Sequence, residues 1–162
     1  MNSVESLFAS HLAKLRRLAT LDPDDMTALL SLPQRTSRIS GRSCLMREGA
    51  PAEECCILVK GFASRSKLAK NGGRQIVSFH VAGDLLGFDS LFLEQADHDV
   101  QTVTDATLVW IALPRLKELV ARRPAIAAAF WRDALIDASI GREWVLNVGR
   151  RNAKARVAHP WD

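Results

Sequence analysis

Residues 40–92 read SGRSCLMREGAPAEECCILVKGFASRSKLAKNGGRQIVSFHVAGDLLGFDSLF, and this stretch decides the fold class. Short β-branched or apolar runs alternate in it with turn residues, and glycines recur every 11 or 12 positions, at 49, 61, 72 and 83. Such spacing is typical of short antiparallel strands joined by tight turns. The pair Asn71-Gly72, followed by Gly73, predicts a hairpin turn because both residues tolerate positive φ. The stretch therefore predicts an antiparallel β-roll.

Helices are expected on both sides of the roll. The runs expected to form its strands are Cys44–Met46, Cys55–Val59, Gln75–Val81, Val100–Val103 and Thr107–Leu113. Residues 1–32 show helical spacing of apolar residues, with Asp22 as the N-cap of a second short helix and Pro23 at its first position. A short helix after Pro114 and a long helix complete an α+β chain. The expected divisions are 1–124 for the N-terminal helices, roll and short helix, 125–159 for a long dimerisation helix, and 160–162 for a tail.

Composition and charge exclude several classes of protein. The chain has 162 residues, 48% hydrophobic and 25% charged, which fits one folded domain and argues against disorder. A net charge of +4 permits an acidic partner without identifying one. Three cysteines, two of them adjacent, indicate free thiols and a reducing compartment. Because the sequence shows no membrane-length apolar run and no signal peptide, the expected location is the cytoplasm.

The long C-terminal helix has two apolar faces, whereas a surface helix of a monomer needs only one. One face predicts the seam of a parallel homodimer, in which small residues let two helices approach closely. The residues of this seam are Phe130, Trp131, Ala134, Ala138, Gly141, Val145 and Val148. The apolar residues that project elsewhere are Leu135, Ile136, Ile140 and Trp144. The alternative is a helix that is simply buried in its own domain.

The order of elements and four turn motifs resemble the cyclic-nucleotide-binding β-roll of the Crp/Fnr family of bacterial transcription regulators. The motifs are Glu48-Gly49, Val59-Lys60-Gly61, Asn71 to Gln75, and Gly83-Asp84 leading into Gly87. Residues 130–159 look like the family's dimerisation helix and its exit, so the resemblance spans about residues 35–159. It implies a jelly-roll, or double-stranded β-helix, with N-terminal helices and a long C-terminal dimerisation helix.

The resemblance also implies an effector pocket, whose residues are Gly87, Phe88, Asp89, His98, Asp99, Val100, Gly141 and Arg142. In cyclic-AMP-binding members a Glu holds the ribose and an Arg-Ser pair holds the phosphate, because a buried phosphodiester needs a cation and donors. Here Phe88 stands at the Glu position and His98-Asp99 at the Arg-Ser position. The purine-contacting hydroxyls of the family's long helix fall at Gly141 and Arg142. We therefore expect no response to cyclic AMP, and any small-molecule effector is unknown.

No cofactor, metal site or catalytic residue is expected. The first cysteine is Cys44, too late for the N-terminal cluster of the family's iron–sulfur sensors. The haem ligands of a carbon monoxide sensor in the family would fall at Gly87 and Asp89, which cannot supply the Cys and His required. The four histidines show no short metal-binding spacing.

Two features leave alternatives open. His98, which Asp97 and Asp99 flank, is either a pH-responsive pocket residue or a solvated loop residue. Cys55 and Cys56 are either a redox sensor or, since neighbouring side chains of a strand point to opposite sides, one core residue and one on the opposite face.

The sequence predicts the sensory and dimerisation module of a Crp/Fnr-like transcription regulator rather than an enzyme. The basic tail from Arg150 to His159 either complements the helix dipole or leads into a helix-turn-helix domain. Contact with DNA would need that domain, which takes several tens of residues beyond Asp162. One alternative is a stand-alone partner that sequesters a full-length relative by heterodimerisation. Another is a cupin-type β-barrel enzyme, which needs a metal-binding His-x-His motif that this sequence lacks. No membrane partner is expected.

Overall fold

The described residues fold into two N-terminal helices, an eight-stranded roll and two C-terminal helices. The computed structural model describes residues 3–93, 95–152 and 154. Its helices are α1 Ser3–Leu18, α2 Pro23–Leu30, α3 Leu113–Arg122 and α4 Pro124–Arg150, with a 3₁₀ turn at Phe88–Leu91. Its strands are β1 Gln34–Ile39, β2 Cys44–Met46, β3 Glu54–Lys60, β4 Ala63–Leu68, β5 Arg74–His80, β6 Leu85–Leu86, β7 Asp99–Thr102 and β8 Ala106–Ala112. The predicted α+β class is confirmed.

The strands form two antiparallel sheets that pack face to face as a roll. The first sheet has the order β1-β8-β3-β6 and the second the order β2-β7-β4-β5. Strands far apart in sequence become neighbours, so that Cys55 on β3 pairs with Ile111 on β8. The sequence pattern does not predict β1, because its residues QRTSRI are mostly polar and it lies at the edge of its sheet. The predicted antiparallel roll is confirmed.

The expected hairpin turn joins β4 to β5, which pair along their length. Gly72 has a φ of +81°, in the left-handed region that favours glycine. Asn71 does not have the positive φ that the sequence predicts for it. Its side-chain oxygen accepts a hydrogen bond of 3.0 Å from the backbone N–H of Gly73. One left-handed glycine and one side-chain bond therefore shape this turn.

The first sheet separates two hydrophobic cores. Side chains of β3 alternate between them, with Cys55 and Ile57 toward the helices and Cys56 and Leu58 toward the second sheet. All four side chains are at most 1% exposed. The prediction that Cys55 and Cys56 point to opposite faces is confirmed, and both faces of the sheet are buried.

The N-terminal helices cover the outer face of the first sheet. From α1, Phe8 and Leu15 are completely buried in the core beneath the helices. A capping box begins α2, as the sequence predicts at Asp22. The Asp25 N–H donates to the Asp22 carboxylate at 2.7 Å, and the Asp22 N–H donates to the Asp25 carboxylate at 3.3 Å. The N-cap prediction is confirmed.

A polar cluster fastens α1 and α4 to the roll. The ammonium of Lys14 on α1 lies 2.8 Å from a carboxylate oxygen of Asp84 and 2.8 Å from one of Asp133 on α4. One turn earlier, the buried ring of His11 donates its Nδ1–H to the carbonyl of Gly83 at 2.8 Å. These contacts join α1, the turn between β5 and β6, and the first half of α4.

The long helix α4 ends at Arg150, before the expected end at residue 159. Arg151 takes an extended conformation, and its guanidinium donates back to Asn147 at 3.4 Å. Gly149 lowers the helix propensity of this final turn. The expected continuation over 155–159 and the tail at 160–162 lie outside the described residues. No helix in the described part of the chain is long and apolar enough to span a membrane.

Candidate effector pocket

The pocket segment begins at Gly87, where the chain leaves β6 and enters the 3₁₀ turn. Its φ of +79° favours glycine, and a side chain here would collide with the end of Met46. Phe88 then turns toward α4. Its ring centroid lies 5.1 Å from that of Phe130 and 6.3 Å from that of Trp131. Phe88 is therefore a contact between the pocket segment and the long helix.

His98 lies inside the roll with only 4% of its surface exposed, so the alternative of a solvated loop histidine is wrong. Its Nδ1 contacts a carboxylate oxygen of Asp97 and lies 3.5 Å from Oδ2 of Asp89. Its Nε2 is buried and has no hydrogen-bond partner among the described residues. Asp99, which the sequence also places beside this ring, instead accepts a hydrogen bond of 2.8 Å from the backbone N–H of Glu48.

The carboxylate of Asp97 sits among positive charges. Burial alone would raise its pKa, but the hydrogen bond to His98 lowers it, and the charges of Lys67 and Arg65 add to this lowering. Lys67 also contacts the backbone carbonyl of Asp97 and the carboxylate of Glu48. Asp97 is therefore ionised beside the imidazole at neutral pH.

Arg65 on β4 is a pocket residue that sequence reasoning misses. Its Nη1 donates to Oδ2 of Asp137 on α4 at 2.6 Å, and its Nε is buried with no hydrogen-bond partner among the described residues. Strand pairing places it opposite Val100 of β7. The two-residue period of a strand could have identified Arg65. Ala63 belongs to the core between the sheets, and a side chain two positions later in the same strand lies on the same face. Residues 64–67, SRSK, are all polar, so the sequence shows no alternation of apolar and polar side chains there.

Three other residues expected in the pocket, Val100, Gly141 and Arg142, do not belong to the group of Asp89, Asp97 and His98 within one chain. Val100 is buried in the core between the sheets. Gly141 and Arg142 lie on α4, beyond Asp137. A Cβ at Gly141 would find no atom within 4 Å, and Arg142 is exposed. The structure brings together Asp89, Asp97 and His98, and leaves the two helix residues apart from them.

The expected seam of α4 is partly buried inside the protomer. Phe130 is 2% exposed and belongs to the core beneath the helices, because the first turns of α4 pack against α1 and the 3₁₀ turn. It therefore has almost no surface for a partner chain. Of the other seam residues, Ala134 and Gly141 are half-buried, and Trp131, Ala138, Val145 and Val148 are exposed. Four further large apolar residues of α4 are exposed, namely Leu135, Ile136, Ile140 and Leu146.

The adjacent cysteines offer no reactive thiol. Burial raises the pKa of Cys55 to about 12 and also raises the pKa of Cys56. Because the thiolate is the reactive form, both groups are poor redox sensors. The exposed Cys44 lines, together with Trp110, a surface cavity of about 520 Å³. None of the residues that surround His98 lines that cavity, apart from the chain neighbour Ala96.

Residues 36–123 match the family model of the cyclic nucleotide-binding domain. The chain belongs to that family. Two curated regulators support the Crp/Fnr resemblance, and one solved structure shares the fold. These similarities confirm the resemblance seen in the turn motifs of the roll.

The curated relatives are named as regulators. Electron transport regulator A of Shewanella oneidensis is 23% identical over 139 residues, which cover 86% of this chain and 56% of the relative. The Anaerobic regulatory protein of Haemophilus influenzae is 24% identical over 139 residues, with coverages of 86% and 54%. The chain thus spans about half the length of these curated relatives. The structure of FixK2 from Bradyrhizobium japonicum shares the fold, with a TM-score of 0.73 and 23% identity over 78% of this chain and 63% of that chain.

Proposed function

We propose that this chain is the sensory and dimerisation module of a transcription regulator and has no catalytic role. It pairs with a second copy through the exposed part of α4, and it responds to an effector other than a cyclic nucleotide. The observation that supports this most directly is the ion pair between Arg65 and Asp137, which links the interior of the roll to the long helix. A ligand that favours one arrangement of this contact shifts the position of α4.

The exposed apolar surface of α4 supports pairing with a second copy. Trp131 is 50%, Leu135 65% and Val145 70% exposed. Leu135 lies outside the seam expected from the sequence, but with Trp131, Ala138 and Val145 it follows the 4-3-7 spacing of a coiled coil. Apolar side chains this exposed and this regularly spaced on one helix mark an interaction surface. A parallel pair would place the same residues of both copies along a two-fold axis.

The surroundings of His98 argue against a cyclic nucleotide. In the Crp/Fnr resemblance the cyclic phosphate would lie at His98-Asp99, yet the carboxylates of Asp89 and Asp97 face this ring. A phosphodiester placed there meets like charges. The ribose would lie at Phe88, whose ring packs on α4 and offers no acceptor. Losing two or three charge-assisted hydrogen bonds of roughly 1.5–3 kcal/mol each weakens a micromolar site by several orders of magnitude.

Two measurements on the purified chain test this proposal. Sedimentation equilibrium should show a dimer at micromolar concentration, because exposed apolar residues recur at coiled-coil spacing along α4. Calorimetric titration with cyclic AMP and cyclic GMP should show no saturable heat. A monomer at every concentration would refute the dimerisation role, and a dissociation constant near or below the micromolar range would show that the pocket is a cyclic-nucleotide site after all.

A further inference from the structure

Asp89, Asp97 and His98 form what we call the carboxylate–imidazole cluster. One ligand atom from each side chain lies within 4.8 Å of those of the other two. We propose that this cluster binds a divalent transition-metal cation and that the cation is the effector of the pocket. The assignment as effector rests on the proposed sensory function, whereas the binding of the metal stands independently of it.

The donor set determines the class of cation. Imidazole nitrogen together with carboxylate oxygen suits Zn²⁺, Mn²⁺ and Fe²⁺, whereas Mg²⁺ and Ca²⁺ are bound by oxygen donors. A neutral imidazole can bind through Nδ1 and keep its proton on Nε2. Nδ1 is the nitrogen of His98 that faces both carboxylates. Three protein donors leave coordination positions open for water or a second ligand.

The charge of the cluster favours a cation over an anion. Two nearby cations, Arg65 and Lys67, each form an ion pair with a carboxylate outside the cluster. Lys67 and Arg65 still act on Asp97 through their charge, but the two carboxylates and the one imidazole of the cluster themselves carry a net negative charge whether or not that ring is protonated. A divalent cation balances two carboxylates beside a neutral ring.

The burial of His98 fixes the direction in which its ring points. The side chain is 4% exposed, and its Nε2 makes no hydrogen bond within the described part of the chain. Here the polar contacts of the ring are all on the Nδ1 side, toward Asp89 and Asp97. The imidazole is thus held inside the roll with its ligating atom directed into the cluster.

The cluster is connected to the long helix through the 3₁₀ turn. Asp89 follows Phe88, whose ring packs on Phe130 and Trp131 of α4. Metal–nitrogen and metal–oxygen distances of about 2.0–2.2 Å require the two carboxylates to rearrange around the cation. Any movement of Asp89 is passed to Phe88, its neighbour in the chain. Binding of the metal therefore changes the contact between the 3₁₀ turn and α4.

The test is calorimetric titration of the metal-free chain with Zn²⁺, repeated with Mn²⁺ and Mg²⁺. A Cys44→Ser background removes the exposed thiol as an alternative ligand. We expect one Zn²⁺ per chain, weaker binding of Mn²⁺ and no measurable binding of Mg²⁺. Asp89→Asn and Asp97→Asn should each weaken Zn²⁺ binding by about tenfold or more.

Asp99→Asn is the matched control, because it removes the same charge next to His98 from a residue that is outside the cluster. It should leave the affinity for Zn²⁺ unchanged. Absence of Zn²⁺ binding, wild-type affinity in both cluster variants, equal weakening by Asp99→Asn, or Mg²⁺ binding as tight as Zn²⁺ would each overturn the inference. Sedimentation of the same samples separates the two proposals. A dimer that binds no metal refutes the metal site alone, and a monomer that binds metal refutes the dimerisation role alone.

Discussion

Arg65 on β4 and Asp137 on α4 form an ion pair in which Nη1 and Oδ2 are 2.6 Å apart. The two residues belong to different layers of the protein, one inside the roll and one on the helix that extends beyond it. Because Nε of Arg65 has no partner of its own among the described residues, Asp137 is the principal counter-ion of this guanidinium. This ion pair thus fixes α4 to the roll beside the carboxylate–imidazole cluster, in addition to the contacts that Lys14 makes with Asp84 and Asp133.

Asp137→Asn should lower the free energy of unfolding by about 1–2 kcal/mol. It removes a hydrogen bond to a charged group and leaves a mostly buried guanidinium without its counter-ion. Urea denaturation measures the effect. The control is Glu118→Gln, which breaks an exposed pair with Arg122 and should cost less than about 0.5 kcal/mol. Equal losses in both variants would mean that Arg65 and Asp137 form an ordinary surface pair.

Ala138→Glu should convert the proposed dimer into a monomer. The side chain at 138 is exposed on α4 within the seam that contains Trp131 and Val145, so two glutamates would meet at a closely packed position. Ala121→Glu provides the same change at an exposed position on α3 and should leave the dimer intact. Analytical ultracentrifugation distinguishes the two results. A dimeric Ala138→Glu variant would place the seam elsewhere.

The stability of the protein should fall with pH below about 6.5 partly because of His11. Burial lowers the pKa of His11 from 6.5 to about 4, and the neutral ring donates to Gly83. Between these values the unfolded chain binds a proton that the folded chain does not, so stability is lost as the pH decreases. The loss from this group reaches about 3 kcal/mol at the lower end of that range.

His11→Asn keeps a neutral donor but removes the titration. At pH 7.5 the variant should be less stable, because the ring contact with Phe130, at 6.0 Å between centroids, is lost. Its free energy of unfolding should nevertheless depend less steeply on pH between 6.5 and 4. Denaturant titrations at several pH values give the slope for each protein, and parallel slopes would exclude His11 as the source.

Gly61→Ala should destabilise the protein far more than Gly72→Ala. Both glycines have positive φ, +99° and +81°, so each substitution costs about 1 kcal/mol of backbone strain. At Gly61 the new methyl group would also lie 2.5 Å from the backbone carbonyl oxygen of Asp105, whereas at Gly72 it meets nothing within 4 Å. Thermal denaturation should show a small shift for Gly72→Ala and a large one for Gly61→Ala. Similar shifts would contradict the close approach of the two backbones.

Local patterns predict most of the fold. The hairpin at Asn71-Gly72, the cap at Asp22 and the breaks around Pro124 all depend on residues close together in the chain, and the structure has each of them. The edge strand β1 is not predicted, because its mostly polar sequence lacks the alternation of apolar and polar residues that indicates a strand. The end of α4 at Arg150 is not predicted either, because a single glycine such as Gly149 inside a helical pattern is only a weak indication that a helix ends.

The candidate site is harder to predict, because its contacts join residues distant in sequence. Nothing in the sequence connects Arg65 with Asp137, which lie 72 positions apart. Metal-binding motifs are sought as short spacings of histidines, so the cluster that His98 forms with Asp89 does not match any of them. The residue type of Phe88 shows that it offers no acceptor, but its packing on Phe130 depends on the direction in which α4 leaves α3.

The layer formed by β3 and β8 determines how the domain unfolds. Its side chains line both hydrophobic cores. If these two strands unfold, both cores therefore lose one of their walls. The two cores consequently have no separate stability, and the domain is a single cooperative unit. A cavity opened at Ile57 or at Leu58, on opposite faces of β3, would lower the melting temperature of the whole domain instead of loosening one half of it.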